Sequence, residues 1–274
     1  MFLLLLSILP VFVICCFVYL KDKNKESLKL LLKLLVFGSI SSIPIIFFEL
    51  LIGSFFPTEE SLNLITLFFY VFISIAFVEE LWKLLMVYWG SFNHREFNNL
   101  YDMIIYSTFV SMGFALVENI LYVVQGGFNV GIMRSFLSVP AHGCFGVMMG
   151  YYLGLSKISL INNNFNLHKR NLLLSIFVPT ILHTLYDYFL LSNMLFLVMI
   201  FFIFIFIIFI ICIRKVLYVS KNARDFGIKS KYCIKCGNPV NNKFCPKCGN
   251  ENKWILIIHL FFFWIYTSTI ILSI

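Results

Sequence analysis

Long apolar stretches alternate along the chain with short polar intervals. A helix needs roughly 20 apolar residues, at about 1.5 Å each, to cross about 30 Å of hydrocarbon. Runs of that kind lie at about 2 to 20, 30 to 52, 62 to 89, 100 to 123, 132 to 155, 171 to 191, 193 to 213 and 254 to 273. Tracts such as the Phe and Ile run at 200–211 contain no turn residues, and in lipid only a helix satisfies so long a backbone from within. The pattern predicts an all-α fold, a polytopic membrane helical bundle of about eight transmembrane helices. For the first run a secretory signal is the alternative. It has no basic segment before it and no small-residue cleavage site, and its lysines follow it, so a retained helix is the better reading.

Composition supports this. Of 274 residues 61% are hydrophobic and 12% charged, where a soluble domain carries about 25% charged residues. A water-soluble fold could not cover that much apolar surface. The net charge of +8 would suggest a nucleic-acid surface if it were clustered, but all of the 21 Lys and Arg except Lys83 and Arg134 fall in alternate loops. These are the loops holding Lys21 to Lys33, Arg95, Lys157 to Arg170, and the residues between 214 and 253. The intervening loops near 53–61, 124–131 and 192 have none, and the first of them carries Glu59 and Glu60. By the positive-inside rule the basic loops are cytoplasmic. Both termini then lie outside an integral cell membrane, which requires an even number of passes, as eight is. The expected surroundings are the lipid bilayer, and no nucleic-acid partner is expected.

Cys233, Cys236, Cys245 and Cys248 form two C-x2-C pairs, with Gly237 and Gly249 following where each knuckle must turn. This is the pattern of a zinc ribbon. On the cytoplasmic side thiols stay reduced, so four thiolates holding a structural Zn2+ are favoured over two disulfides. Such a closed shell leaves no catalytic position. The ribbon either stabilises the loop before the last helix or docks a partner. Its lysines read as a solvated face. Cys15, Cys16, Cys144 and Cys212 have no ligand spacing and read as core or lipid-facing residues. The chain thus divides into an N-terminal helix with its basic loop (1–29), a membrane core (30–215), the ribbon (231–250) and a C-terminal helix (254–274).

Charged residues inside spans are costly, about 2.5 to 3.5 kcal/mol at a helix centre, and call for a reason. The third span carries Glu79, Glu80 and Lys83, the fourth Glu118 and Asn119, the fifth Arg134 and His142, and the sixth His183 and Asp187. Helical spacing puts Lys83 on one face with both glutamates and Asp187 on one face with His183. One of Glu79 and Glu80 can face a reaction centre while the other, or both in alternation, balances Lys83. Asp187 one turn from His183 can fix an imidazole tautomer, whether the ring holds a metal or moves a proton. Pro140 and Pro179, just before the two histidines, are expected to loosen the backbone around a wet pocket. Polar glue between helices is the plain alternative for any one of these residues, but matched acids and histidines on four consecutive spans argue for a site. Glu49, near the acidic loop, reads as interfacial and is left out.

These residues resemble the PrsW family of intramembrane peptidases. Four blocks match in order: Glu79-Glu80-Leu81-Trp82-Lys83 as E-E-x-x-K, Phe114 to Asn119 as F-x-x-x-E-N followed by Tyr122, Arg134, His142 and Gly150 at equal spacings, and His183 to Asp187 as H-x-x-x-D. The stretch from His94 to Asp102 looks like the family's cytoplasmic turn. The resemblance covers roughly 30 to 215 and excludes the ribbon and last helix. It implies proteolysis of single-span, membrane-anchored substrates such as anti-sigma factors, and kinship to CAAX-processing membrane peptidases.

Hydrolysis needs an activated water, an oxyanion partner and an acid for the leaving amine. The expected catalytic set is Glu79, Glu80, Glu118, His142, His183 and Asp187, supported by Lys83, Asn119 and Arg134. Glu79 or Glu80 activates water, His142 and His183 stabilise the oxyanion or hold a divalent metal, and Asp187 orients His183. No H-E-x-x-H pair announces a zinc site, so the metal stays open. Two rivals belong to other classes: a proton- or cation-coupled transporter or channel, expected to show flux without cleavage, and a non-catalytic scaffold acting through the ribbon.

Overall fold

The computed structural model of the chain describes residues 2–56, 63–94 and 96–223. Regular structure among them is helical throughout: α1 (Phe2–Lys21), α2 (Leu28–Gly53), α3 (Leu64–Tyr70), α4 (Phe77–Val87), α5 (Leu100–Phe136), α6 (Ser138–Ile161), α7 (Phe165–Leu191) and α8 (Leu195–Asn222). The third apolar run is one continuous helical stretch in which α3 and α4 are joined through a wider π-helical turn, Val71–Ala76, and a second such turn, Tyr88–Phe92, closes it. The expected eighth helix and the zinc ribbon lie outside the described residues.

Side chains set the helix ends. Asn99 caps α5 by accepting from the amides of Tyr101 and Asp102 at 2.7 and 3.3 Å, and Asp102 returns the favour to the Asn99 amide at 2.9 Å. Asn63 and Asn164 cap α3 and α7 through the amides of Thr66 and Leu167 at 2.9 and 3.1 Å. Asn163 and Asn193, with φ of 58° and 54°, turn the chain after α6 and α7, a conformation that asparagine tolerates better than most residues.

Among the described residues, five helical stretches are long and apolar enough to cross a membrane: Leu28–Gly53, Leu64–Phe92, Leu100–Ile161, Phe165–Leu191 and Leu195–Asn222, with Leu5–Lys21 a shorter apolar one. The 62-residue stretch is two antiparallel helices. The N-terminal end of α5, at Met103, packs on Gly150, whereas Ser111 farther along donates to the His142 carbonyl at 2.7 Å. Gly127 interrupts the geometry of α5 at φ 72° and ψ −157°, and a short helical segment follows before α6 begins. The apolar run starting at 132 predicts Arg134 inside a span. The structure instead puts it on this connecting segment, because Gly127 redirects the chain and α6 starts only at Ser138. Pro140 likewise sits in the first turn of α6, where no backbone donor is needed. It starts that helix rather than loosening it, while Pro179 is interior to α7 as expected.

The central helix is α5, where every residue from Tyr101 to Ala115 is buried. Lipid offers no hydrophobic drive between helices, so close contact relies on small residues. A Cβ on Gly38 of α2 would fall 1.9 Å from the Val110 carbonyl oxygen, and one on Gly113 of α5 1.9 Å from that of Leu35. Those two glycines let α2 and α5 cross backbone to backbone. Outward faces of α1, α2 and α8 display Leu, Ile and Phe such as Leu9, Ile43, Ile203 and Phe206, as a lipid-facing surface requires.

Candidate active site

Four helical stretches converge on one polar cluster. Glu79, Glu80 and Lys83 come from α4, just after the wide turn at Val71–Ala76. Glu118 comes from α5, His142 from α6, and His183 and Asp187 from α7. Wide turns of this kind recur at functional sites because they shift the phase of the following side chains. Glu79, Glu80, Lys83, His142 and His183 are all buried.

Lys83 is the hub. Its Nζ lies 2.8 Å from Glu79 Oε2, 2.9 Å from Glu80 Oε1 and 3.3 Å from His142 Nδ1. The ammonium also stands 4.1 Å from the centre of the Phe114 ring, a cation–π contact. Helical spacing puts both glutamates on the face of Lys83, and in the structure Lys83 pairs with both at once.

The two histidines are held in the same way. His142 Nε2 is 2.8 Å from Glu118 Oε2, and His183 Nε2 is 3.1 Å from Asp187 Oδ2. Each ring therefore turns Nδ1 inward, that of His183 lying 3.1 Å from Glu80 Oε1 and 3.8 Å from Glu79 Oε2. Because Lys83 donates to His142 Nδ1, the network assigns the His142 proton to Nε2, facing Glu118. Phe145 stacks on the His183 ring with centroids 4.9 Å apart and planes at 24°, fixing its tilt. Arg134 reaches in from the connecting segment. Its Nη2 is 2.8 Å from Glu118 Oε2, and its Nε donates to Asn119 Oδ1 at 3.1 Å. Asn119 in turn donates to the Ser7 carbonyl at 3.2 Å, tying α1 to the site.

A cavity of about 760 Å³ opens beside this cluster. Glu79, Glu118, Arg134, His142, His183 and Asp187 line it, whereas Glu80 and Lys83 lie behind its wall. The void runs toward the helix ends at Leu50, Gln125 and Leu191. Glu49 lines it too, so this residue belongs to the cavity and not to the interface that its place near the acidic loop predicts. The packing of α2 decides this: Ser42, Ile45 and Glu49 share a helical face, and all three line the void. Phe145 was missed altogether, since an aromatic residue in an apolar helix carries no mark of its role.

The donor chemistry suits a divalent cation. Glu79, Glu80, His142 and His183 each offer one ligand atom, and these atoms all lie within 4.8 Å of one another. Two imidazole nitrogens with two carboxylate oxygens match the preferences of zinc and related ions. Glu80 Oε2 is buried without a hydrogen-bond partner, and carboxylates behind both imidazoles give the outer support that metal-bound histidines commonly have. Lys83 touches three of these four residues, so the ammonium and a metal ion would draw on the same donors.

The chain matches the model of the PrsW family intramembrane metalloproteases over residues 26–213. Among its relatives, a Protease PrsW from Oceanobacillus iheyensis is 35% identical over 184 residues, 67% of this chain and 80% of that protein. The Protease PrsW of Bacillus subtilis is 32% identical over 200 residues, 69% of this chain and 84% of that one. A Protease PrsW from Clostridioides difficile is 32% identical over 194 residues, 69% and 79% of the two chains. No solved structure is significantly similar. The match takes in α2 to α7 and with them the glutamates, histidines and Asp187 that meet around the cavity: the chain belongs to the PrsW family of intramembrane metalloproteases.

Proposed function

We propose that this protein hydrolyses peptide bonds of single-span, membrane-anchored proteins in the cavity beside Lys83, with Glu79 as general base. The convergence of Glu79, Glu80, His142 and His183 at one end of a cavity set among membrane-crossing helices carries this reading. Glu79 reaches the void while fully enclosed Glu80 does not, so Glu79 takes the proton from the attacking water. Glu80 positions Lys83 and His183. His183 meets the developing oxyanion, His142 holds Lys83 in place, and the proton taken by Glu79 then passes to the leaving amine. Glu118 and Asp187 hold those imidazoles in orientation, Phe145 fixes the tilt of His183, and Arg134 with Asn119 locks Glu118. A divalent cation held by Glu79, Glu80, His142 and His183 would supply Lewis acidity to the same reaction.

In this reading the basic loops are cytoplasmic and the cavity opens on the outer side. Eight passes, both termini outside, and a cytoplasmic zinc ribbon formed by Cys233, Cys236, Cys245 and Cys248 complete the topology. Substrates of the anti-sigma-factor type would enter from the outer half of the bilayer, and the ribbon would stabilise its loop or dock a cytoplasmic partner.

Co-expression with candidate single-span proteins tests the reading by fragment size. The native protein is expected to release a fragment that Glu80→Gln and His183→Ala do not, and equal fragments from all three proteins would exclude it. Bound metal, measured by elemental analysis of purified protein, is expected to fall in His183→Ala.

A further inference from the structure

Glu49 stands on α2 one turn beyond Ile45 and two beyond Ser42, facing the cavity. Its Oε1 is enclosed and has no hydrogen-bond partner, and no ion pair to it occurs among the described residues. The neighbouring cations are committed elsewhere, Arg134 to Glu118 and Asn119, Lys83 to Glu79 and Glu80. Glu79 and Glu118 line the same cavity and would repel a charge on Glu49, while the cationic partners nearest the cavity, His183 and Lys83, are held by Asp187, Glu79 and Glu80. An acid at membrane depth with no internal partner and like-charged neighbours is costly to keep unless something entering the cavity answers it.

We infer that Glu49 forms a substrate subsite that accepts a basic side chain, Lys or Arg, of the bound peptide close to the bond being cut. The inference rests on the peptidase reading and adds a specificity to it. A long aliphatic stem ending in a cation suits the apolar wall made by Ile45, Ile46 and Leu50 with the carboxylate among them. Committed to one cation of the substrate, Glu49 would select among helices that otherwise offer only apolar side chains.

The test uses the full-length protein in proteoliposomes and a set of synthetic single-span peptides with a leucine–alanine core of about 20 residues. One residue, Lys, Met or Glu, is moved stepwise through the core, and cleavage rates are compared. At one or two positions the native protein is expected to cut the Lys peptide about tenfold or more faster than its Met counterpart. Glu49→Gln should bring that ratio close to one, Glu49→Asp should restore part of it, and Glu49→Lys should turn the preference toward Glu. Equal native rates for Lys, Met and Glu at every position would overturn the inference, as would a native ratio retained in Glu49→Gln. A uniform loss of rate in Glu49→Gln at an unchanged ratio would also overturn it. If native protein and Glu80→Gln yield the same products, or neither yields any, the peptidase reading itself fails and the subsite with it.

Discussion

Among single side chains, Lys83 has the most demanding surroundings, an ammonium with no exposure to solvent satisfied by two carboxylates, an imidazole and an aromatic face. Removing one member of a buried charge group leaves the others uncompensated, at a cost of about 3–5 kcal/mol. Lys83→Met is therefore expected to lower unfolding stability in detergent by about that amount, measured by chemical denaturation, whereas a surface-like effect below about 0.5 kcal/mol would contradict the hub role. Glu118 and Asp187 act through the histidines behind which they stand. Glu118→Gln and Asp187→Asn should each reduce kcat by about 10–100-fold with little change in KM. Outside the spans, Glu26 is buried between α1 and α2 and accepts a hydrogen bond from the Tyr106 hydroxyl. Burial pushes its carboxyl from 4.5 up to about 9, helped by Asp102 and Glu96 and opposed by the Tyr106 hydrogen bond. Folded protein thus keeps a proton that the unfolded chain has lost over this window, so stability falls as pH rises through it. The thermal midpoint should drop from about pH 5 to about pH 9, and Glu26→Gln should flatten the profile. The ionisable residues of the site were legible as misfits in apolar runs. Glu49 was not, since a lone acid near a span end reads equally as interfacial until the packing of α2 aims it inward.

Helices three to seven of the sequence reading reappear nearly where the apolar runs lie, because run length and helical rise leave little freedom in lipid. Their deviations have local causes. Asn164 starts α7 at Phe165, six residues before the apolar run, by capping amides that hydrophobicity says nothing about. Gly127 ends the regular part of α5 and moves Arg134 onto a connecting segment, from which it reaches Glu118. The wide turn at Val71–Ala76 has no sequence signature, yet it immediately precedes Glu79 and Glu80. Close crossing of α2 and α5 gives a direct test: Gly113→Ala, whose new carbon would fall 1.9 Å from the Leu35 oxygen, should cost about 1–3 kcal/mol. Gly131→Ala meets its nearest neighbour at 3.4 Å and should leave the unfolding midpoint almost unchanged, so equal effects would argue against a tight α2–α5 contact.

For the whole molecule, the cavity leads to the helix ends at Leu50, Gln125 and Leu191, the ends that charge placement assigns to the outer face. A membrane-impermeant maleimide should label Leu191→Cys in intact cells and Asn162→Cys only after permeabilisation, and the reverse pattern would invert the topology and the route of substrate entry. By itself the sequence determined that the protein is helical, lives in the membrane and carries acids and histidines on four successive spans. Those properties follow from run length, charge cost and spacing along one chain, all local quantities. Tertiary structure alone decided that Lys83 also meets His142, that His183 turns Nδ1 toward Glu80, that Glu79 rather than Glu80 meets the cavity, and that Glu49 joins it. Each depends on the rotation and crossing of helices far apart in sequence, and these are set by where small residues let backbones touch.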